Sequence, residues 1–138
     1  MISIELASAL KAAGLAWHPA TGDRFTLMTG AFDGEVFTLS DMVVEAHESR
    51  TGTVLGFNGT TEWALDATEA TDALWLPRED QLRGMLGASF RSLERIDPGY
   101  RVTSVLPGDA DDASVYWGEG AAEAYGRALL ALIRRATD

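Results

Sequence analysis

The chain has 138 residues and a mass of 14.8 kDa, and 46% of its residues are hydrophobic, which suits one compact domain with its own core. It contains 11 Lys and Arg against 21 Asp and Glu, and the resulting formal net charge of -10 disfavours binding to nucleic acid or to an anionic membrane. Cysteine is absent, which excludes disulfides, cysteine nucleophiles and cysteine-ligated metal centres.

The first predicted element is a helix that begins after Ser3 and ends at Gly14. The Ser3 hydroxyl can cap free backbone N–H groups, and Leu6 and Leu10 fall on one side at helical spacing. No basic leader precedes the apolar part of this segment, as a signal peptide requires, and no apolar run reaches the roughly 20 residues that cross a bilayer. We therefore expect a cytoplasmic protein.

In residues 24–65 the hydrophobic period changes to two, which predicts short antiparallel strands. In the first strand Phe25 and Leu27 are predicted to face inward and Thr26 outward. Asn58-Gly59 is a strong two-residue hairpin signal between the last two strands. The predicted strand segments are RFTLM, EVFTL, MVVEAHE, GTVLGF and TTEWAL.

Pro77 is predicted to open a second helix, because its missing N–H is tolerated in the first helical turn. Glu79 and Asp80 then suit the positive end of the helix dipole. Apolar residues follow at steps of three and four, which predicts a helix that continues to Leu93. These residues are Leu82, Met85, Leu86, Phe90 and Leu93.

Two more strands, in DPGYRVTSVLP and ASVYWGE, precede a C-terminal helix with an apolar stripe from Ala121 to Ile133. The whole pattern predicts one α+β domain over residues 1–138: a single antiparallel sheet with the N-terminal, central and C-terminal helices packed on it. The stripe of the last helix can also serve a homodimer, although packing on its own sheet explains it without a second chain.

Candidate residues for catalysis are few. His47 with Glu45 and a distant carboxylate can be combined into a metal site, but paired-ligand spacing such as HxH or HExxH is absent. The phosphate-binding patterns GxxxxGK[ST] and GxGxxG are also absent. The acidic loop GDADDAS lacks the glycine and the closing glutamate of a calcium loop. We therefore predict no catalytic, cofactor-binding or metal-binding residue.

The leading hypothesis is a non-enzymatic module that binds an unidentified protein or peptide partner. It rests on an aromatic segment surrounded by acidic residues, and the predicted binding face consists of Trp63, Trp75, Arg78, Asp80, Gln81 and Arg83. One alternative is a small-molecule hydrolase that uses Glu62, Asp66 or His47. Another is a phage-related acidic inhibitor of a basic partner.

Five segments of the chain are distinctive together: GDRF, LSDM, GFNGTTEWALD, ALWLPREDQLRGMLG and AYGRALLALI. They resemble a family of small acidic proteins from high-GC bacteria, and the resemblance covers almost the whole chain. Members of this family are often labelled "pilus assembly protein", after the septum-site-determining-like ATPase of the tight-adherence pilus. That ATPase needs a Walker-type lysine loop, which is absent here, so the resemblance implies no nucleotide-binding residue. The stretch WLPREDQL is also similar to a WLP…DQL pattern in small phage-encoded proteins.

Overall fold

The computed structural model describes residues 1–28, 35–39, 44–49, 52–57, 73–106 and 112–137, with the backbone alone for 44–49 and 52–57. The chain forms two compact units, one from Met1–Ala16 together with Pro77–Asp138 and the other from Trp17–Leu76. None of the helices in the described residues combines the length and the apolar character needed to cross a membrane.

Helix α1 spans Ile4–Ala13 and has the predicted ends. The Ser3 hydroxyl accepts a hydrogen bond from the backbone N–H of Leu6, at 3.2 Å, which satisfies a donor that the first helical turn leaves free. Gly14 ends the helix with φ 116°, a left-handed conformation that glycine adopts without steric cost. Leu6, Ala7 and Leu10 are buried.

Helix α2 spans Glu79–Leu86, and the prediction that it continues to Leu93 is wrong. The backbone turns at Gly87, where φ is +55°, and a 3₁₀ turn over Gly87–Ser89 follows. Phe90 and Leu93, which continue the helical spacing, instead belong to strand β6, Phe90–Ile96. That segment pairs along its length with a later strand, so non-local pairing overrides its local periodicity.

Three antiparallel strands follow α2 in the order β6-β7-β8, with β7 at Gly99–Val105 and β8 at Ala113–Gly118. Helix α3, Ala121–Thr137, packs against β7 and β8, and helices α1 and α2 pack against α3. Val102 on the sheet and Tyr125 and Leu129 on α3 are buried in this unit. Burial raises the pKa of the Tyr125 hydroxyl above its ordinary value of 10.0.

The Trp17–Leu76 unit contains a second three-stranded sheet in the order β2-β1-β5. Its strands are β1 (Arg24–Leu27), β2 (Val36–Thr38) and β5 (Ala73–Trp75). Phe25 pairs with Phe37 on one side and with Trp75 on the other, and its ring centroid lies 5.5 Å from that of Phe37. Thr26, which is predicted to face outward, is fully buried, and within the described part of the chain its hydroxyl has no hydrogen-bond partner.

Strands β3 (Val44–Ser49) and β4 (Gly52–Phe57) form an antiparallel hairpin with Val44 opposite Phe57. This pairing agrees with the predicted antiparallel strands in MVVEAHE and GTVLGF. The Asn58-Gly59 turn and the strand predicted after it lie outside the described residues.

The α+β class is confirmed, but the predicted single sheet is wrong. The described strands divide into two three-stranded antiparallel sheets and the β3–β4 hairpin. A period of two identifies a strand and its two faces, but it does not specify the partner strand. Among the described elements, α3 packs on β7 and β8, and α1 and α2 pack mainly on α3. That residues 1–138 make a single domain stays a prediction.

Candidate functional site

The β6–β7–β8 sheet has one face toward α3. A Cβ atom added at Gly118 would lie 2.5 Å from the backbone nitrogen of Ala124, so this face of β8 lies directly against the start of α3. Because successive side chains of a strand point to opposite faces, Val115 and Trp117 point away from α3. We call the side of the sheet that carries them the outer sheet face.

Trp117 occupies a row of three cross-strand neighbours on the outer sheet face, with Glu94 and Arg101. The Arg101 guanidinium lies 5.5 Å from the centroid of the Trp117 ring. Its Nη2 atom is 2.6 Å from Oε2 of Glu94. The cation–π contact and the ion pair therefore hold Arg101 between its two neighbours.

Two large apolar side chains remain exposed on this face. Trp117 is 46% exposed and Val115 is 48% exposed. They are separated by one residue on the same strand, so they lie next to each other on one face. Isolated exposed apolar residues are common, but an exposed tryptophan beside a second apolar residue is typical of a binding surface.

The two edges of this sheet differ in charge and regularity. Strand β6 carries Arg91, Glu94 and Arg95, and its pairing shifts register between Phe90 and Ser92. Charges and bulges of this kind protect an edge strand from pairing with another chain. Strand β8, at the other edge, has the six-residue sequence ASVYWG and contains no charged residue. Within the described residues, β8 is the less protected edge of this sheet.

A cleft of about 470 Å³ lies beside the C-terminal end of β8. Ile96, Pro98 and Trp117 are apolar residues that line it, and the acidic residues Asp97 and Glu119 line it as well. Both acidic residues are exposed, and no described residue forms an ion pair or hydrogen bond with either side chain. Arg127 also lines the cleft, and its Nη1 atom donates a hydrogen bond to the carbonyl oxygen of Trp117, at 2.7 Å.

Three residues of the predicted binding face lie together at the N-terminus of α2. Oε1 of Gln81 accepts a hydrogen bond from the backbone N–H of Arg78, at 2.9 Å. The Arg78 Nε atom donates to Oδ1 of Asp80, at 3.0 Å, and this hydrogen bond lowers the pKa of the Asp80 carboxyl below 3.8. The Arg83 guanidinium lies 4.6 Å from the centroid of the Phe90 ring. These three side chains and that of Arg83 therefore all have intramolecular contacts at α2.

Trp75 and Trp63 complete the predicted binding face. Trp75 is half-buried on β5, in the Trp17–Leu76 unit, and its Nε1 atom is buried without a hydrogen-bond partner among the described residues. Trp63, Glu62 and Asp66 lie outside the described residues. His47 lies on β3, where only the backbone is described. Among the residues with described side chains, no three His, Asp or Glu are grouped to hold a metal ion.

The predicted binding face did not include Val115, Trp117, Arg101 or Glu94. The strand ASVYWG carries an aromatic residue on each of its two faces. Its period of two indicates that Val115 and Trp117 share one face. The pattern does not indicate which face a helix covers, because Tyr116 on the opposite face is also aromatic. The position of α3 decides between the two faces.

No protein-family model matches the chain, and no curated protein and no solved structure is significantly similar to it. The resemblance to the family labelled "pilus assembly protein" and to small phage proteins therefore stays a prediction.

Proposed function

We propose that this protein is a non-enzymatic interaction module that binds an extended segment of a partner protein along strand β8. The proposal rests on one observation: an edge strand without charged residues exposes Val115 and Trp117 on the outer sheet face. Extended peptides add to such an edge as a further strand. On its outer side, β8 has no partner strand among the described residues, so its backbone N–H and C=O groups are available there. Alternate side chains then supply the specificity.

Trp117 is the main candidate for a large energetic contribution. Tryptophan is enriched among interface residues whose truncation weakens binding most. A tryptophan that is 46% exposed retains roughly 100 Å² that a partner can cover, which corresponds to about 2.5 kcal/mol at 25 cal/mol per Å². Immobilisation of both chains opposes this gain. The Arg101 contact reduces that cost at the indole, because it already restricts the Trp117 side chain.

The charges at the ends of β8 favour a basic partner segment over a second copy of this chain. Asp112 precedes the strand, and Glu119 follows it. In an antiparallel pair of two β8 strands, the end of one copy that carries Glu119 lies beside the end of the other that carries Asp112. Like charges that are neighbours across a strand pair are destabilising, and each copy carries a formal charge of -10. A segment with basic residues at its ends avoids both costs.

The two other hypotheses stay predictions. The hydrolase alternative uses Glu62, Asp66 or His47, whose side chains are not among those described. The acidic-inhibitor alternative uses the same charge complementarity as our proposal. It differs in requiring a folded basic surface instead of an extended segment, so a short linear peptide distinguishes the two.

The proposal is tested with twelve-residue peptides selected from a random display library and measured by isothermal titration calorimetry. Val115→Lys places a charge on the exposed face of β8 and is expected to weaken binding about tenfold or more. The matched control is Val36→Lys, since Val36 is 43% exposed and lies on β2, an edge strand of the other described three-stranded sheet. The control is expected to bind as the unmodified protein does.

Hydrogen exchange locates the bound peptide. Binding is expected to slow exchange of the backbone amides of β8 and to leave those of β6 unchanged, because only β8 gains a neighbouring strand. Equal affinity of the Val115→Lys and Val36→Lys variants, or protection confined to another element, contradicts the proposal.

A further inference from the structure

The cleft beside the end of β8 adds information about the partner, and the inference from it rests on the proposed function. We infer that this cleft receives a cationic side chain, a guanidinium or an ammonium group, of the segment bound along β8. The cleft has a volume of about 470 Å³, enough for one long side chain. Because Trp117 belongs both to β8 and to the cleft wall, a segment on the strand reaches the cleft directly.

The apolar part of the cleft suits the stem of a long basic side chain. Ile96 and Pro98 come from the β6–β7 turn region, and Trp117 comes from β8. Arginine and lysine bury their methylene stems on apolar surface while the charged end stays near water. The Trp117 ring already contacts one guanidinium, that of Arg101, at 5.5 Å, and the charge of Arg101 is paired with Glu94 at 2.6 Å. Because the Trp117 side chain is still 46% exposed, a second cation can contact the part of the indole that Arg101 leaves uncovered.

The polar part of the cleft favours a cation over an anion. Asp97 and Glu119 are exposed and have no intramolecular partner among the described residues. The opposing charge, Arg127, has one guanidinium nitrogen engaged with the carbonyl oxygen of Trp117, at 2.7 Å. An anionic side chain would contact Arg127 but would meet two carboxylates, whereas a cation gains from both. The formal charge of -10 on the whole chain acts in the same direction.

The backbone around the cleft limits how it can adjust. Gly99 and Gly118 approach so closely that a Cβ atom on Gly99 would meet the carbonyl oxygen of Gly118. On its other side, Gly118 lies against the first turn of α3. The β6–β7 turn, the end of β8 and the start of α3 are therefore held together, so the carboxylates of Asp97 and Glu119 extend from a packed backbone.

The inference is tested with four synthetic peptides that share an eight-residue threonine–valine strand sequence and end in arginine, citrulline, norleucine or glutamate. Citrulline matches arginine in shape but carries no charge. In a fluorescence polarisation assay the arginine peptide is expected to bind about tenfold more tightly than the citrulline peptide, from one cation–π contact and one or two partly exposed ion pairs. The glutamate peptide is expected to bind most weakly.

The control protein is the double variant Asp97→Asn, Glu119→Gln, with Glu119→Gln alone as a second variant that leaves the β6–β7 turn unchanged. In the double variant the preference for the arginine peptide over the citrulline peptide is expected to fall to about threefold or less, because only the cation–π contact remains, and thermal unfolding checks that the fold is retained. A second probe, N-acetylarginine amide, is expected to shift the indole N–H resonance of Trp117 in the unmodified protein and to shift it less in the double variant.

The outcomes separate the two proposals. Equal affinity for all four peptides, lost in Val115→Lys, overturns the cationic side chain and leaves strand addition intact. A Trp117 shift with N-acetylarginine amide, without binding of any peptide, supports the cationic cleft and overturns strand addition. If neither the peptides nor the amide bind, both proposals fall.

Discussion

At the scale of single residues, Ser3 links two helices that are far apart in the sequence. Its hydroxyl accepts from the Leu6 N–H and donates to Oε2 of Glu123, at 2.9 Å, while its backbone N–H donates to Oε1 of the same carboxylate, at 2.8 Å. Glu123 lies in the first turn of α3, where a negative charge is favourable. One serine therefore caps α1 and connects it to α3.

Replacement of Ser3 by alanine is expected to lower the free energy of unfolding by about 1–2 kcal/mol, because it removes the cap and one hydrogen bond to a charged group. Urea unfolding followed by circular dichroism measures the change. The matched control is Ser8→Ala on the same helix, since the Ser8 hydroxyl has no hydrogen bond within the described structure. A loss in Ser8→Ala equal to that in Ser3→Ala would contradict the assigned role of the cap.

At the scale of elements, α2 shows how one glycine ends a helix whose apolar spacing continues. Residues 82–93 keep steps of three and four, yet the helix ends at Leu86 and the chain enters β6 at Phe90. Gly87 has φ +55° and ψ -130°, a backbone conformation that residues with a Cβ atom rarely adopt. Gly84, three residues earlier, lies within the helix.

Gly84 and Gly87 allow a matched pair of alanine substitutions. Neither position has an atom within 4 Å of an added Cβ, so the two differ in backbone conformation and not in available space. Gly84→Ala is expected to stabilise the protein by about 0.5–1 kcal/mol, through the higher helix propensity of alanine. Gly87→Ala is expected to destabilise it by about 1–2 kcal/mol, from strain at positive φ.

Thermal and urea unfolding of both variants measure these opposite changes. Stabilisation by Gly87→Ala would show that the helix can extend toward Ser89 without cost. The predicted continuation to Leu93 would then be a conformation that the chain can partly adopt.

At the scale of the whole molecule, charge and the packing of α3 bear on the oligomeric state. The apolar stripe of α3, which was also considered as a dimer surface, packs against β7, β8, α1 and α2. The ends of β8 carry like charges that oppose its self-pairing, and the chain has a formal charge of -10. Both observations favour a protein that binds other chains more readily than its own copies.

Light scattering coupled to size exclusion, at 0.15 M salt, is expected to give a single species with the mass of one chain, 14.8 kDa. Twice that mass would contradict the expectation. The same measurement on Val115→Lys would then show whether the copies associate through β8: a return to the single-chain mass locates the contact there, and an unchanged dimer mass places it elsewhere.

Local sequence features determined much of this protein by themselves. The Ser3 cap, the Gly14 end of α1, the first turn of α2, the β3–β4 hairpin and the strand ASVYWG follow from capping, turn chemistry and periodicity, which act over a few neighbouring residues. The α+β class follows from the order of these elements.

Only the tertiary structure decided which strands pair and which surfaces stay exposed. The division of the strands into separate sheets and the position of α3 both depend on contacts between residues far apart in the chain. The hydrophobic pattern of a strand has a period of two whichever of its faces a helix covers. The exposure of Val115 and Trp117 therefore could not be predicted from the strand alone. It follows from α3 packing against the opposite face of β8, and the proposed binding surface exists for that reason.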